Sequence, residues 1–299
     1  MLASTQFATT GPQNVVALTT LERRLVVFSD APAIVEYVRS VYRRACVATP
    51  PDADTQACDT GEILSANADQ WLVFNGEPVS YPDEKPKTHF RLAFYGSSKL
   101  IRLSFRRNAN WHSLYAAAMR LGDRAIIISA RSGIAKTTLA LELMSRGAGL
   151  YSDEFVFIRK SDRTVSGLPR SLTIRVRTMS LFPDPRLRAV CETSKPRTSY
   201  GDAVWDNIDA GDVFGDQIFA RPASLGAAIV LERGLGPETV VTPISAAHAA
   251  ADFNQRVNSG TQGFSRFADT ALMLNGIPCF RVAASTPQRA AEAIEALLQ

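Results

Sequence analysis

The sequence predicts an α/β domain behind a smaller α+β domain, and three observations carry that prediction. The apolar run Ile126-Ile127-Ile128-Ser129-Ala130 passes through a loop of small residues into Lys136-Thr137-Thr138 and the helical pattern Leu139-Ala140-Leu141-Glu142-Leu143-Met144. Strand and helix signals then alternate to the end of the chain, as layered α/β cores require. From Val15 to about Asn108 strands mix with a helix and no residue spacing suggests catalysis, so the boundary is drawn between 1–108 and 109–299. No internal repeat is present.

With 299 residues, 46% of them apolar and 21% charged, the chain is long enough for one large or two modest domains. The net charge of +4 and pI near 9.0 fit a phosphate or acidic-peptide partner, and equally a solvated basic surface. No basic run with interleaved aromatics points to nucleic acid. Cys46, Cys58, Cys191 and Cys279 are scattered without a C-x-x-C, which predicts reduced thiols and a cytoplasmic protein. Met1 to Pro12 lacks the basic and apolar segments of a signal peptide. No apolar stretch is long enough to span a bilayer, so no membrane partner is expected.

Taken in order, Arg24–Phe28 reads as a strand. A helix follows, capped by Ser29 or Asp30, with Pro32 in its first turn and Ile34, Val35, Val38, Val41 and Tyr42 on one buried face. Positions 48–60 read as a loop, followed by strands at Trp71–Phe74, Phe90–Tyr95 and Leu100–Phe105. Trp111–Met119 opens the second domain. Gly147 closes the helix after Lys136, and Leu150-Tyr151 and Phe155–Ile158 are strands flanking Ser152-Asp153-Glu154. A hairpin turn at Ser161-Asp162-Arg163 and the connector Gly167-Leu168-Pro169-Arg170 lead to a strand, Leu172–Arg175. Residues 183–222, rich in Pro, Asp and Arg, read as a long, partly ordered loop that folds over a substrate. Ala227–Leu231 and Ile277–Val282 are strands; Ala246–Arg256 and Pro287–Leu298 are helices.

The stretch from Ala130 to Thr137 follows the spacing of a phosphate-binding loop, G-x-x-x-x-G-K-[ST]. Backbone N–H groups at a helix N-terminus converge on phosphate oxygens, a lysine adds charge, and a hydroxyl ligates Mg²⁺. Lys136 and Thr137 occupy the last two places, with Ser132, Gly133, Ile134, Ala135 and Thr138 around the same phosphates. Both fixed glycines are alanines, Ala130 and Ala135, and only the interior Gly133 remains. A buried strand leading into an amphipathic helix is the alternative. The acidic pair Asp153-Glu154 beside a strand is where a metal ligand and a base belong.

Read as SARSGIAKTTLALELMSRGAGLYSDE, Ser129 to Glu154 resembles the catalytic core of the HPr kinase/phosphorylase family and its looser relatives. That family pairs a G-D-S-G-I-G-K-S loop and a T-A-L-E-L helix with a later R-G and an acidic pair. This chain keeps Ser132, Gly133, Ile134, Lys136, the hydroxyl of Thr137, Ala140–Leu143 and Arg146-Gly147. The resemblance is strong over about 113–180. It implies an HPr-kinase-like catalytic domain using ATP and Mg²⁺, with Asp153 as base and Thr137 and Glu154 around the metal, or the two acidic roles exchanged. Arg175 matches the arginine of the family's E-I-R-G segment, whose glutamate and glycine are Thr173 and Val176 here; an outward arginine on a plain strand is the alternative. The family's histidine ahead of the loop falls on Tyr115, with His112 one helical turn earlier as a substitute or simply a packed residue.

The resemblance implies a serine kinase acting on a peptide or small protein. The branch expected is the one that phosphorylates the C-terminal serine of a lasso-peptide precursor. HPr as substrate is one alternative, and a non-catalytic nucleotide- or peptide-binding module with a degenerate loop is another. A small-molecule kinase on the same fold is a further reading. The family's assemblies make a homo-oligomer an expectation as well.

Overall fold

The computed structural model describes residues 14–21, 23–47, 58–66, 71–79, 86, 88–131, 133, 135–199, 202–254 and 263–298. The chain divides into two compact units, Met1–Asn108 and Ala109–Gln299, and is a mixed α/β protein with several sheets. Among the described residues no helix is long and apolar enough to cross a membrane.

The first unit contains β1 (Val15–Thr20), β2 (Arg23–Ser29), α1 (Pro32–Val41), β3 (Cys46–Val47), β4 (Cys58–Ile63), β5 (Leu72–Phe74), β6 (Glu77–Pro78) and α2 (His89–Arg106). The sheet order is β3-β1-β2-β4-β5-β6, with β2 and β4 parallel. The N-cap of α1 is Ala31, not Ser29 or Asp30, because both of those side chains are used elsewhere. Ser29 Oγ donates to the Ile63 carbonyl (2.6 Å) and accepts from the Ala31 N–H, while the Asp30 carboxylate accepts from the N–H groups of Ser65 and Ala66.

Two further sequence expectations are corrected in this unit. Residues 58–60 belong to β4 rather than a loop, and the rest of the expected loop, 48–57, lies outside the described residues. Phe90–Tyr95 and Leu100–Phe105 are not two strands but parts of the single helix α2. Leu92, Ala93, Gly96, Ser97, Leu100, Ile101, Ser104 and Phe105 recur at four-residue steps and are all buried, so the helical period overrides two aromatic-rich runs that resemble strands. Glycines let this helix lie directly on the sheet: a Cβ on Gly61 would meet Leu100 at 2.6 Å, and one on Gly96 would meet Ile63 at 2.9 Å. Asp59 points into the same interface and accepts from Arg23, Ser104 (2.7 Å) and Asn75 (2.9 Å). Burial pushes its carboxyl up, but hydrogen bonds from Arg23, Asn75 and Ser104 outweigh that and hold it below its ordinary value.

The second unit begins with β7 (Trp111–Tyr115), β8 (Ala117–Leu121), β9 (Arg124–Ala130), α3 (Lys136–Ser145), β10 (Gly149–Ser152), β11 (Phe155–Arg159) and β12 (Thr164–Gly167). It continues through β13 (Leu172–Arg175), α4 (Val176–Leu181), α5 (Pro185–Thr193), β14 (Arg197–Ser199), β15 (Asp202–Ile208) and α6 (Ala210–Phe214). The last elements are β16 (Ala223–Arg233), β17 (Val240–Pro243), α7 (Ala246–Asn254), α8 (Gly263–Leu274), β18 (Cys279–Ala284) and α9 (Pro287–Ala296). Residues 183–222 are therefore not one long loop; their described part holds two helices, two strands and a short 3-10 turn.

The main sheet runs β10-β8-β9-β16-β12-β11-β7, with β18 also paired to β16 and β17 to β18. β9, β16 and β18 are parallel. Ile126 and Ile128 pack into one core with Leu139, Leu143, Ala290 and Ile294, while Ile127 packs on the other face with Ala249, Phe253 and Leu274. Helices on both faces explain why β9 reads as an unbroken apolar run rather than an alternating one. α3 ends at Arg146, with Gly147 at φ 96°. The Gly147 and Ala148 N–H groups return to the carbonyls of Met144 and Leu143, a Schellman closure. A second sheet, β13-β15-β14, completes the unit.

Candidate functional site

Strand direction decides which loops meet. β8 is antiparallel to β9 and to β10, so β9 and β10 end at the same edge of the sheet. Ala130 closes β9 and Ser152 closes β10, which brings the head of α3 beside Asp153 and Glu154. β7 arrives antiparallel to β11 with Tyr115 opposite Phe155, next to the same turn.

The β9–α3 loop keeps a left-handed backbone where it joins the helix. Ala135, the N-cap of α3, has φ 60° and ψ 33° and supplies no side-chain cap; Gly133 has φ 83°. The Ala135 carbonyl takes the first helical hydrogen bond from Leu139 (2.8 Å). The helix N-terminus thus presents N–H groups with no partner inside the helix. Ser132 and Ile134 lie outside the described residues, and Thr138 is buried.

Lys136 Nζ donates to the backbone carbonyl of Asp153 and sits 5.5 Å from the ring centroid of Tyr115. Thr137 Oγ1 donates to Asp153 Oδ2 (3.3 Å), and Asp153 is buried. Ser152 Oγ accepts from the N–H groups of Glu154 (3.2 Å) and Phe155 (3.0 Å), which fixes the turn carrying both carboxylates. Glu154 Oε2 is ion-paired with Arg170, and Glu154 Oε1 accepts from the Tyr115 hydroxyl (3.3 Å). β12 reaches the turn because Gly167 lacks a Cβ: one built there would lie 2.5 Å from the Tyr151 carbonyl oxygen.

Of the residues singled out in the sequence, Lys136, Thr137, Asp153 and Glu154 come together, and Gly133 and Ala135 shape the loop beside them. Arg175, the last residue of β13 and the N-cap of α4, is exposed. His112 does not join them. It lies on a strand rather than one helical turn before Tyr115, opposite Ile158, about 10 Å along β7 from Tyr115 at the usual strand rise. His112 Nε2 lies 2.9 Å from Thr270 Oγ1, whose hydroxyl donates to the Arg266 carbonyl, so the ring donates to Thr270. Burial first, then the charge of Arg266, lowers the His112 pKa to about 4, with Asp269 opposing. It is a neutral packing residue.

Sequence reasoning missed Arg170, whose side chain is 2% exposed. A buried guanidinium requires an ionic partner, but its position after a proline in a connector gave no sign of burial. An open cavity of about 730 Å³, lined by Arg120, Gly147, Gly149 and Arg221 among others, lies at the opposite end of α3 from Lys136 and takes no part in this cluster.

No protein-family model and no curated protein matches the chain. Among solved structures, the Hpr(Ser) kinase/phosphatase from Coxiella burnetii is similar at a TM-score of 0.30 and 13% identity, over 62% of this chain and 93% of that one. A likeness of that size decides neither fold nor activity. The case for function rests on the side chains just described.

Proposed function

We propose that the second unit is an ATP- and Mg²⁺-dependent kinase that phosphorylates a serine hydroxyl in a peptide or small protein. The observation that carries the proposal is the Thr137 hydroxyl donating to the buried Asp153 carboxylate across the head of a helix that begins with Lys136. A phosphate-binding loop places its hydroxyl and an acidic residue on one cation in this way.

The residues suit the groups they would hold. Gly133 has a positive φ and open space where a Cβ would stand, which admits a phosphate against the loop backbone. Lys136 Nζ already rests on an oxygen acceptor, the Asp153 carbonyl, beside the head of α3. Thr137 and Asp153 are hard oxygen donors. Mg²⁺ takes few protein ligands and keeps its waters, so these two oxygens beside the phosphates would suffice for it. When bound, Mg²⁺ would neutralise charge on the transferring phosphates.

In the transfer, the acceptor oxygen forms a bond to the γ-phosphorus while the bond to the β,γ-bridging oxygen breaks and ADP leaves. Asp153 Oδ2, which faces Thr137, would hold the cation, and its other oxygen, Oδ1, orients the acceptor hydroxyl and takes its proton. Lys136 and the N–H groups at the head of α3 hold the phosphates in line, so catalysis is mainly positioning and charge stabilisation. The choice of a peptide serine comes from the resemblance of Ser129–Glu154, and the C-terminal serine of a lasso-peptide precursor is the first acceptor to try. The competing reading, a nucleotide-binding module without turnover, draws on Ala130 and Ala135 at the two glycine positions of the loop.

Intact-mass spectrometry of the protein mixed with Mg-ATP, HPr and a precursor peptide separates these readings. A phosphoryl group gained by the peptide, and absent with Asp153→Asn, supports the peptide kinase. Gain on HPr instead identifies the alternative substrate. ATP binding without transfer to either leaves the module reading in place of ours.

A further inference from the structure

We infer that Arg170 and Tyr115 are positioning residues of this site, and that by engaging both oxygens of Glu154 they leave the cation to Thr137 and Asp153; the inference rests on the kinase reading. Asp153 and Glu154 are adjacent and carry the same charge, yet their partners differ in kind. Asp153 faces a hydroxyl. Glu154 faces a guanidinium at one oxygen and a phenol at the other. Arg170 is almost wholly buried, and a buried charge of that kind is strongly destabilised when its partner is removed, so the pair holds Glu154 in place.

The Tyr115 ring also lies against Lys136. The contacts therefore run without a break from Arg170 through Glu154 and Tyr115 to the lysine of the loop. A guanidinium in contact with a carboxylate forms a charge-assisted pair. What they fix is the turn on which Asp153 stands and the ring beside which Lys136 lies. Mg²⁺ needs one or two carboxylate ligands beside the phosphates, and Asp153 with Thr137 meets that need without Glu154.

The test compares the 299-residue wild-type chain with Glu154→Gln, Tyr115→Phe, Arg170→Lys and Asp153→Asn, each checked by circular dichroism. Calorimetric titration with ATP, with and without Mg²⁺, reads the gain in nucleotide affinity that the cation provides. Glu154→Gln and Tyr115→Phe should keep that gain within about twofold, and Asp153→Asn should lose it. In peptide phosphorylation, Tyr115→Phe and Arg170→Lys should lower kcat by about 10- to 100-fold with KM for ATP little changed, the size of effect seen when supporting groups are removed. Loss of the Mg²⁺ gain in Glu154→Gln would make Glu154 a ligand and overturn the inference. So would unchanged kcat in a folded Tyr115→Phe, which decides the matter if Arg170→Lys does not fold. A wild type that binds no ATP at all overturns the kinase reading itself, and the inference with it.

Discussion

Ala135 is held at φ 60° and ψ 33°, a conformation that costs an L-residue about 1–2 kcal/mol relative to the right-handed helix. The cost is borne at the residue that joins the loop to α3, where glycine would enter freely. Ala135→Gly should therefore raise stability in urea denaturation by up to about 1 kcal/mol, the entropy of glycine in the unfolded chain offsetting part of the relief. His112 gives a second residue-level prediction. Its folded pKa of about 4 lies below the ordinary 6.5, so between these values the unfolded chain binds a proton that the folded chain does not. Its effect is absent above the unfolded value, and stability falls as pH drops from there towards the folded value, by at most about 3 kcal/mol. Denaturation midpoints measured across that window should fall less steeply in His112→Gln; an unchanged slope would mean that His112 is not the buried neutral base described.

At the scale of elements, the β12–β13 connector matters as much as the loop before α3. Gly167 lets β12 approach Tyr151, and Arg170 follows from there to Glu154. Gly167→Ala forces a methyl against backbone, so it should cost about 1–3 kcal/mol and lower phosphoryl transfer, because the displaced strand carries Arg170 with it. Retained stability and activity would show that the close approach is dispensable. In the first unit, Leu100→Ala should cost about 2–5 kcal/mol, as expected for a fully buried leucine between helix and sheet.

These elements also mark what was legible beforehand. β9, α3, β10 and β11 were readable because each is apolar and punctuated by Gly or an acidic turn. α2 was not, since Gly96-Ser97-Ser98 in its middle looks like a turn and its aromatics suit strands. Lys136, Thr137 and Asp153 were visible through their spacing. Arg170 and the hydroxyl of Tyr115 were not, because their roles depend on pairings across β7, β11 and β12 that no local pattern encodes.

At the scale of the whole molecule, the second unit carries cores on both faces of its main sheet, with helices closing each. A unit with its own core is expected to fold by itself. Residues 109–299 expressed alone should thus unfold cooperatively and bind ATP as the full chain does; a fragment without a cooperative transition would show that the core needs the first unit. The central claim is that the head of α3 binds nucleotide phosphate through Lys136. Calorimetric titration of the 299-residue chain with Mg-ATP, beside Lys136→Met of unchanged circular dichroism, tests it most directly. The account predicts saturable binding by the wild type and a loss of at least about tenfold in affinity, 1.4 kcal/mol, in the variant. Equal affinity in the two proteins, or no binding by the wild type, would contradict it.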